Sequence, residues 1–381
     1  MSGSPIYLDY AAATPLDERV LAAMQPYFSQ QFYNPSALYQ SARDIRKVLD
    51  TARSHVAAVL GARPSEIIFT AGGTESNNIA ISGVMRNFAD ANVVVSAIEH
   101  DAVLAAAEPY DCRIAPVSED GLINLEKLAE LIDDRTVLVS VMYANNEIGT
   151  IEPIAKVTQL VAQIRNQRRA AGNKLPLYVH TDACQAAGYL DLHVSRLGVD
   201  LLTLNGGKVY GPKQSGALYI KGGLELQPLV RGGGQERGLR SGTENVAACV
   251  GLSEALTQSQ TLRHDETRRL QVLQMQFMSA LETAMPQIII RGSRKHRLPN
   301  NIHLTIPGTD NERLLIQLDE AGIQAAAGSA CSASSETPSH VLKAIGLSDD
   351  EARSSLRFTM GRGTTQEQID RTVDTLASLV A

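Results

Sequence analysis

Between residues 66 and 220, six short apolar, largely β-branched runs alternate with amphipathic stretches: Glu66 to Thr70, Asn92 to Ser96, Thr136 to Val141, Leu177 to His180, Asp200 to Leu204 and Gly216 to Ile220. Runs of that length and type read as buried strands. Helical periodicity fills the gaps at Ala42 to Leu60, Glu75 to Phe88, Leu125 to Ile132 and Ile154 to Ala171. Strand and helix in alternation predict an α/β fold whose mostly parallel sheet is covered on both faces. In such sheets ligands gather at the carboxyl ends of the strands, so the residues after each run are where chemistry is expected.

A Gly-rich stretch, Arg231 to Thr243, leads into a long helical pattern from Glu244 to Met285, and the chain then changes character. Strand-like runs at Gln287 to Arg291, Asn301 to Ile306 and Leu356 to Met360 mix with helices near Asn311 to Ala321, Pro338 to Ile345 and Thr365 to Ala381. This predicts a large domain over 13–260 and a smaller α+β domain built from 1–12 and 261–381. A length of 381 residues is ample for two cores.

Charge and cysteine content exclude several classes. A net charge of −6 argues against a strong direct nucleic-acid surface. The short basic patches Arg165 to Arg169 and Arg291 to Arg297 read as solvated faces or weak docking candidates. No apolar run approaches the roughly 20 residues that span a bilayer, and Met1 to Pro5 lacks the parts of a signal peptide, so the expected location is the cytoplasm, with no membrane partner. The four cysteines, at 112, 184, 249 and 331, show no paired spacing, which speaks against a metal site or a disulfide framework.

The motifs fall after the predicted strands. Thr70-Ala-Gly-Gly-Thr-Glu-Ser-Asn-Asn78 is a small-residue turn opening a helix, where Gly73, Thr74 and the first amides suit a phosphate; it is also an ordinary strand-to-helix turn. His100 follows the next strand and suits stacking or proton transfer, or a structural role. Asp182 and Lys208 close neighbouring runs, in Val179-His-Thr-Asp-Ala-Cys-Gln185 and Asn205-Gly-Gly-Lys208. That pair meets the needs of pyridoxal 5'-phosphate, a lysine for the Schiff base and a carboxylate for the pyridine nitrogen. Arg357, within a strand of the second region, suits either a substrate carboxylate or an ion pair. Cys331 sits in Ala326-Ala-Gly-Ser-Ala-Cys-Ser-Ala-Ser-Ser-Glu-Thr-Pro338, where almost nothing bulky or apolar would bury the thiol.

Taken in order, Tyr7-Leu-Asp-Tyr-Ala-Ala-Ala-Thr-Pro15, Asn145-Asn-Glu-Ile-Gly149, Arg231 to Thr243, Gly328-Ser-Ala-Cys331 and Arg357 make the chain resemble, nearly end to end, the cysteine desulfurases of the NifS/IscS type, a branch of the class V aminotransferases. The resemblance implies pyridoxal-enzyme fold type I, with a mostly parallel seven-stranded sheet. It implies Lys208 as the Schiff-base lysine and proton carrier, Cys331 as the nucleophile that takes sulfur from L-cysteine, and His100 stacked on the cofactor ring. Asp182 would face the pyridine nitrogen, Gln185 the ring hydroxyl, and Gly73, Thr74 and Asn205 the phosphate. Asn146 would serve cofactor and substrate, with Arg357 and Asn34 also at the substrate. Thr243 would reach the partner subunit's phosphate, implying a homodimer, and a sulfur-acceptor protein would take the persulfide onward to iron-sulfur assembly, tRNA thiolation or DNA sulfur modification. A selenocysteine lyase, or a weakly active homologue kept as a scaffold, is the runner-up. The chain departs from the family's Ser-x-His-Lys at Asn205 and Gly207, which predicts weaker or rearranged phosphate binding. Tyr39 stands where the family places a histidine, and Cys184 where Thr or Val is commoner.

Overall fold

A computed structural model describes residues 5–328 and 338–380 of the chain. In chain order its strands are β1 (Ile6–Tyr7), β2 (Ile67–Thr70), β3 (Asn92–Ser96), β4 (Asp111–Ala115), β5 (Thr136–Ser140), β6 (Tyr178–Asp182), β7 (Leu201–Asn205), β8 (Gly216–Ile220), β9 (Ile289–Ile290), β10 (Asn301–Thr305), β11 (Ile323–Gln324) and β12 (Ser355–Thr359). Seven of them form one sheet in the order β2-β8-β7-β6-β5-β3-β4. Only β8 runs against its neighbours β2 and β7; every other pairing is parallel. The six apolar runs are six of these strands, buried along nearly their whole length because helices cover both faces.

β4 is the strand of this sheet that periodicity missed. Asp111-Cys-Arg-Ile-Ala115 lies at the sheet edge with β3 as its one neighbour, and Asp111 and Ile114 are exposed. An edge strand half in water needs no continuous apolar run. The helices Glu18–Met24 and Asp101–Ala107, at seven residues each, were also missed, although the equally short Leu125–Leu131 was found.

One apolar core lies between the sheet and the helices Gln40–Leu60 and Ile154–Ala170, and another lies on the opposite face around Gly73–Met85. A separate core joins Ile6 and Leu8 to Phe277, Leu304, Phe358 and Leu376, around the antiparallel sheet β12-β10-β9. The helix Val246–Ala284 runs unbroken between them: Leu252 and Leu256 pack into the first core, and Leu270 to Leu281 into the last. Among the described residues no helix is long and apolar enough to cross a membrane.

Beyond β5 the chain turns through Asn145 to Gly149 and returns at Glu152, whose amide donates to the Tyr143 carbonyl. The Glu152 side chain is 1% exposed, both of its oxygens accept from the Ile123 amide, and burial pushes its carboxyl up to about 8. A carboxyl raised in the fold favours folding while protonated; that contribution is complete below the ordinary value near 4.5 and is lost as pH rises toward 8. Glu152→Gln is therefore expected to gain stability relative to the wild type by roughly 1.4 kcal/mol per pH unit across that window. Thermal unfolding at pH 5 and pH 8 checks this, and an equal difference at both values would contradict it.

Candidate active site

Strand ends and one N-terminal turn enclose a cavity of about 220 Å³ lined by Ala11, Ala12, Gly73, Thr74, Asn77, His100, Met142, Ala144, Asn146, Asp182, Cys184, Gln185, Asn205, Lys208 and Arg357. Its lysine arrives through a tight turn, Gly206–Lys208, at the end of β7. Lys208 Nζ donates to the carbonyl oxygens of Ala11 and Ala12 at 2.9 and 2.6 Å, so the Tyr7 to Pro15 motif supplies the seat for the amine. Gln185 Nε2 donates to the same Ala11 oxygen at 3.0 Å.

Asp182 ends β6 and is nearly buried, with its orientation fixed by two donors: Asn77 Nδ2 at 2.7 Å on Oδ2, and the Cys184 amide at 2.9 Å on Oδ1. Asn77 lies one turn beyond Gly73 on the helix Gly73–Met85, a spacing that brings both residues onto the cavity side. Sequence reasoning missed Asn77; its place one turn after the glycine pair was the available signal. Below Asp182, His180 is fully buried between Ser140 Oγ (2.9 Å) and Thr203 Oγ1 (3.0 Å), and desolvation lowers it to about 4, so its ring is neutral near pH 7.

The helix beginning at Gly73 is capped by Gly72, which has no side chain to occupy the first-turn amides. Thr74 is thus the second helical residue, not the cap. Gly73 is required by space, since a Cβ there would come within 2.8 Å of Cys184 Sγ and 3.5 Å of Asn205 Nδ2. Asn205 Oδ1 accepts from the Gly207 amide at 3.0 Å, which leaves its NH₂ group on the Gly73 side. His100 caps the helix Asp101–Ala107, with Nδ1 accepting from the Ala102 amide at 3.0 Å. The neutral ring therefore carries its proton on Nε2.

Arg357 is 1% exposed, and its Nη2 pairs with Asp9 Oδ1 at 2.6 Å while Nη1 donates to the Asn146 carbonyl at 3.0 Å. The ion-pair reading is met by Asp9, and among the described residues Nε has no acceptor, so one of the five guanidinium N–H groups has no described partner. Sequence reasoning gave no role to Asp9 or to the buried Glu99. Glu99 Oε1 accepts from the Met142 amide at 2.6 Å, and burial first, then Asp182, push its carboxyl well above the ordinary range.

Two foreseen residues lie outside the cavity of the single chain. Asn34 is exposed, its Oδ1 accepting from the Ser36 amide at 2.9 Å, and Thr243 is exposed in a neighbouring pocket with Gly242 and Arg240. Cys331 lies outside the described residues. The three described thiols, Cys112, Cys184 and Cys249, are all free, and burial raises the pKa of each; Asp182 adds to the effect at Cys184.

The residues fit pyridoxal 5'-phosphate. An amine, an oriented carboxylate, an uncapped helix start beside an amide NH₂ group, and a flat imidazole line one cavity, while the buried Asn77 Oδ1 and Arg357 Nε have no partner among the described residues.

Residues 6–372 match the family model described as aminotransferase class V. A curated relative, a cysteine desulfurase IscS from Dictyoglomus turgidum, is 39% identical over 98% of this chain and 94% of its own length. A solved NifS-like protein superposes with a TM-score of 0.90 at 31% identity, covering 99% of both chains. Another solved structure, SspA in complex with cysteine, has a TM-score of 0.78 at 35% identity, covering 93% of this chain and 98% of that one. A match over nearly the whole chain, on the fold and cavity just described, establishes that the chain belongs to the class V aminotransferases, in their cysteine desulfurase branch.

Proposed function

We propose that the chain removes sulfur from L-cysteine, leaving L-alanine, with Lys208 as the proton carrier and Cys331 as the first sulfur acceptor. The observation that carries this is one cavity holding Lys208, the oriented Asp182 and the buried Arg357. Bound through Lys208, pyridoxal 5'-phosphate supplies an electron sink that weakens the substrate's Cβ–Sγ bond. Arg357 and Asn146 would take the substrate carboxylate. Lys208 Nζ, seated on two carbonyls, would move the proton from Cα. Asn205, Gly73 and Thr74 would hold the phosphate, Gln185 the ring hydroxyl, and His100 would stack on the ring with Nε2–H available as a donor.

In the transfer step Cys331 Sγ attacks the substrate sulfur: an S–S bond forms, the Cβ–S bond breaks, and its electron pair stays with the carbon fragment. That fragment is then protonated to alanine, so cysteine plus a thiol gives alanine plus a persulfide, with no outside oxidant. The described thiols support assigning the attack to Cys331. Cys184, Cys112 and Cys249 are held as protonated thiols by burial, and only the thiolate is a good nucleophile.

A homodimer and a division into 13–260 and 1–12 with 261–381 belong to the same proposal. Exposed Phe28, Phe32, Leu38 and Tyr39 flank Asn34 in sequence, with the Phe32 and Tyr33 rings stacked at 4.7 Å, and the exposed Thr243 suits a role across a subunit boundary. A cytoplasmic location and a sulfur-acceptor protein complete the reading. Incubating the holoenzyme with L-cysteine and a thiol reductant tests the core of it: equal yields of alanine and sulfide are expected, and alanine without sulfide would overturn it.

Gly207 has no side chain to offer the phosphate and its amide is engaged by Asn205 Oδ1, although there is room for more. A Cβ there would meet Asn205 Oδ1 at 3.5 Å and Lys213 Cγ at 3.6 Å, ordinary contacts, and the backbone is not left-handed. Gly207→His is expected to tighten pyridoxal 5'-phosphate binding by about tenfold, the equivalent of one added hydrogen bond to a charged group. Equal affinity by equilibrium dialysis would contradict this.

A further inference from the structure

The Glu147 carboxylate plays no part in the chemistry above, yet it is 2% exposed, a placement that is costly unless its oxygens are engaged. Oε2 accepts the Ser339 hydroxyl proton at 2.6 Å. Ser339 Oγ accepts in turn from the Val341 and Leu342 amides at 3.2 and 3.4 Å, capping the helix His340–Ala344. The same Oε2 lies 3.1 Å from the point where a Cβ on Gly328 would sit, and that point is 4.0 Å from Ser339 Cβ. The chain therefore leaves for Cys331 at Gly328 and returns at Ser339 beside a single carboxylate oxygen.

Each flank is also tied to the cavity. Ala326 exchanges backbone hydrogen bonds with Arg357, at 3.1 and 2.6 Å. His340 Nε2 lies 2.8 Å from the carbonyl oxygen of Glu99, the residue before His100. Glu147 itself stands on a fixed main chain, its amide donating to Asn145 Oδ1 at 2.8 Å and its carbonyl accepting from Asn301 Nδ2 at 2.9 Å. Burial raises the Glu147 carboxyl, against the pull of Ser339 and Arg357.

We propose that Glu147 is a positioning residue for sulfur transfer: by bonding Ser339 where the chain passes Gly328, it fixes the point to which the chain returns after the segment that carries Cys331. This rests on Cys331 being the nucleophile. Arg357 keeps its own partners, Asp9 and the Asn146 carbonyl, when the Glu147 side chain is removed. Loss of the link should therefore act on the rate of attack, which depends on the effective concentration of the thiol, and leave substrate binding in place. Glutamine keeps an acceptor for the Ser339 hydroxyl at the same reach, so the link is a matter of geometry more than of charge.

The test compares Glu147→Ala, Glu147→Gln, Ser339→Ala and Cys331→Ala as holoenzymes with L-cysteine. Glu147→Ala is expected to lower kcat by about tenfold or more, with KM within about twofold and cofactor absorbance as in the wild type. Ser339→Ala should follow it, and Glu147→Gln should recover most of the lost rate. Wild-type kcat in Glu147→Ala, a loss carried by KM or by cofactor release, or a Gln variant as impaired as the Ala variant would each overturn the proposal. Cys331→Ala separates the two readings. If it still desulfurates cysteine, the nucleophile assignment falls; if it is inactive while Glu147→Ala turns over normally, only the positioning role falls.

Discussion

Lys208→Ala is expected to lower cysteine turnover by about a thousandfold or more and to abolish the absorbance of covalently held cofactor. The reason is positional as well as chemical. Among the described cavity-lining residues Lys208 is the only amine, and its Nζ is seated on the Ala11 and Ala12 carbonyls. Lys208→Arg distinguishes charge from chemistry, because a guanidinium keeps the cation but can neither form the Schiff base nor give up its proton near neutral pH. An equal loss in both variants is the expected outcome. Substantial turnover by Lys208→Arg would mean that the lysine acts only as a charge. Absorbance spectroscopy and alanine release on the same preparations decide the matter.

Cys331→Ala is expected to lower sulfur release by about a hundredfold or more, while cofactor binding and its absorbance remain unchanged. The split follows from a division of labour. Among the described residues the cavity is lined by Lys208, Asp182 and Asn205, whose hydrogen bonds to the Ala11 and Ala12 carbonyls, to Asn77 and to the Gly207 amide do not involve Cys331. Cys112→Ser supplies the control, since that half-buried thiol lies on the edge strand β4, away from the cavity. Its activity should match the wild type. A Cys331→Ala enzyme with normal sulfur release, or a Cys112→Ser enzyme without it, would place the nucleophile elsewhere.

The central sheet was legible wherever burial on both faces forces an unbroken apolar run, as at Val93 to Val95 or Val137 to Val139, all fully buried. It was illegible at Asp111 to Ala115, where one side of the edge strand faces solvent and the run is broken by charge. The site divides along similar lines. Asp182 and Lys208 could be found because strand ends concentrate function in this class of sheet. Asp9 and Asn77 could not, because each matters only through a contact made across the fold: Asp9 meets Arg357 across 348 positions, and Asn77 meets Asp182 across 105. Glu147 belongs with them, since its partner Ser339 lies 192 positions away. A single sequence shows which residue types are present, but it does not show which distant side chains the topology brings together.

Asn205 marks the middle ground. The sequence shows that an amide replaces the family's serine, but only the structure shows how the amide is turned. Its oxygen is occupied by the Gly207 amide, so its NH₂ group faces the Gly73 helix start. That orientation converts a departure from the family pattern into a donor pointing the right way.

The most direct test of sulfur transfer through Cys331 is a single turnover of the holoenzyme with sulfur-labelled L-cysteine and no reductant, followed by alkylation and mass spectrometry of its peptides. One labelled sulfur atom added to the peptide containing Cys331, matched by one alanine released, is the predicted result. Label on Cys184, Cys112 or Cys249, or alanine released with no labelled cysteine at all, would contradict it.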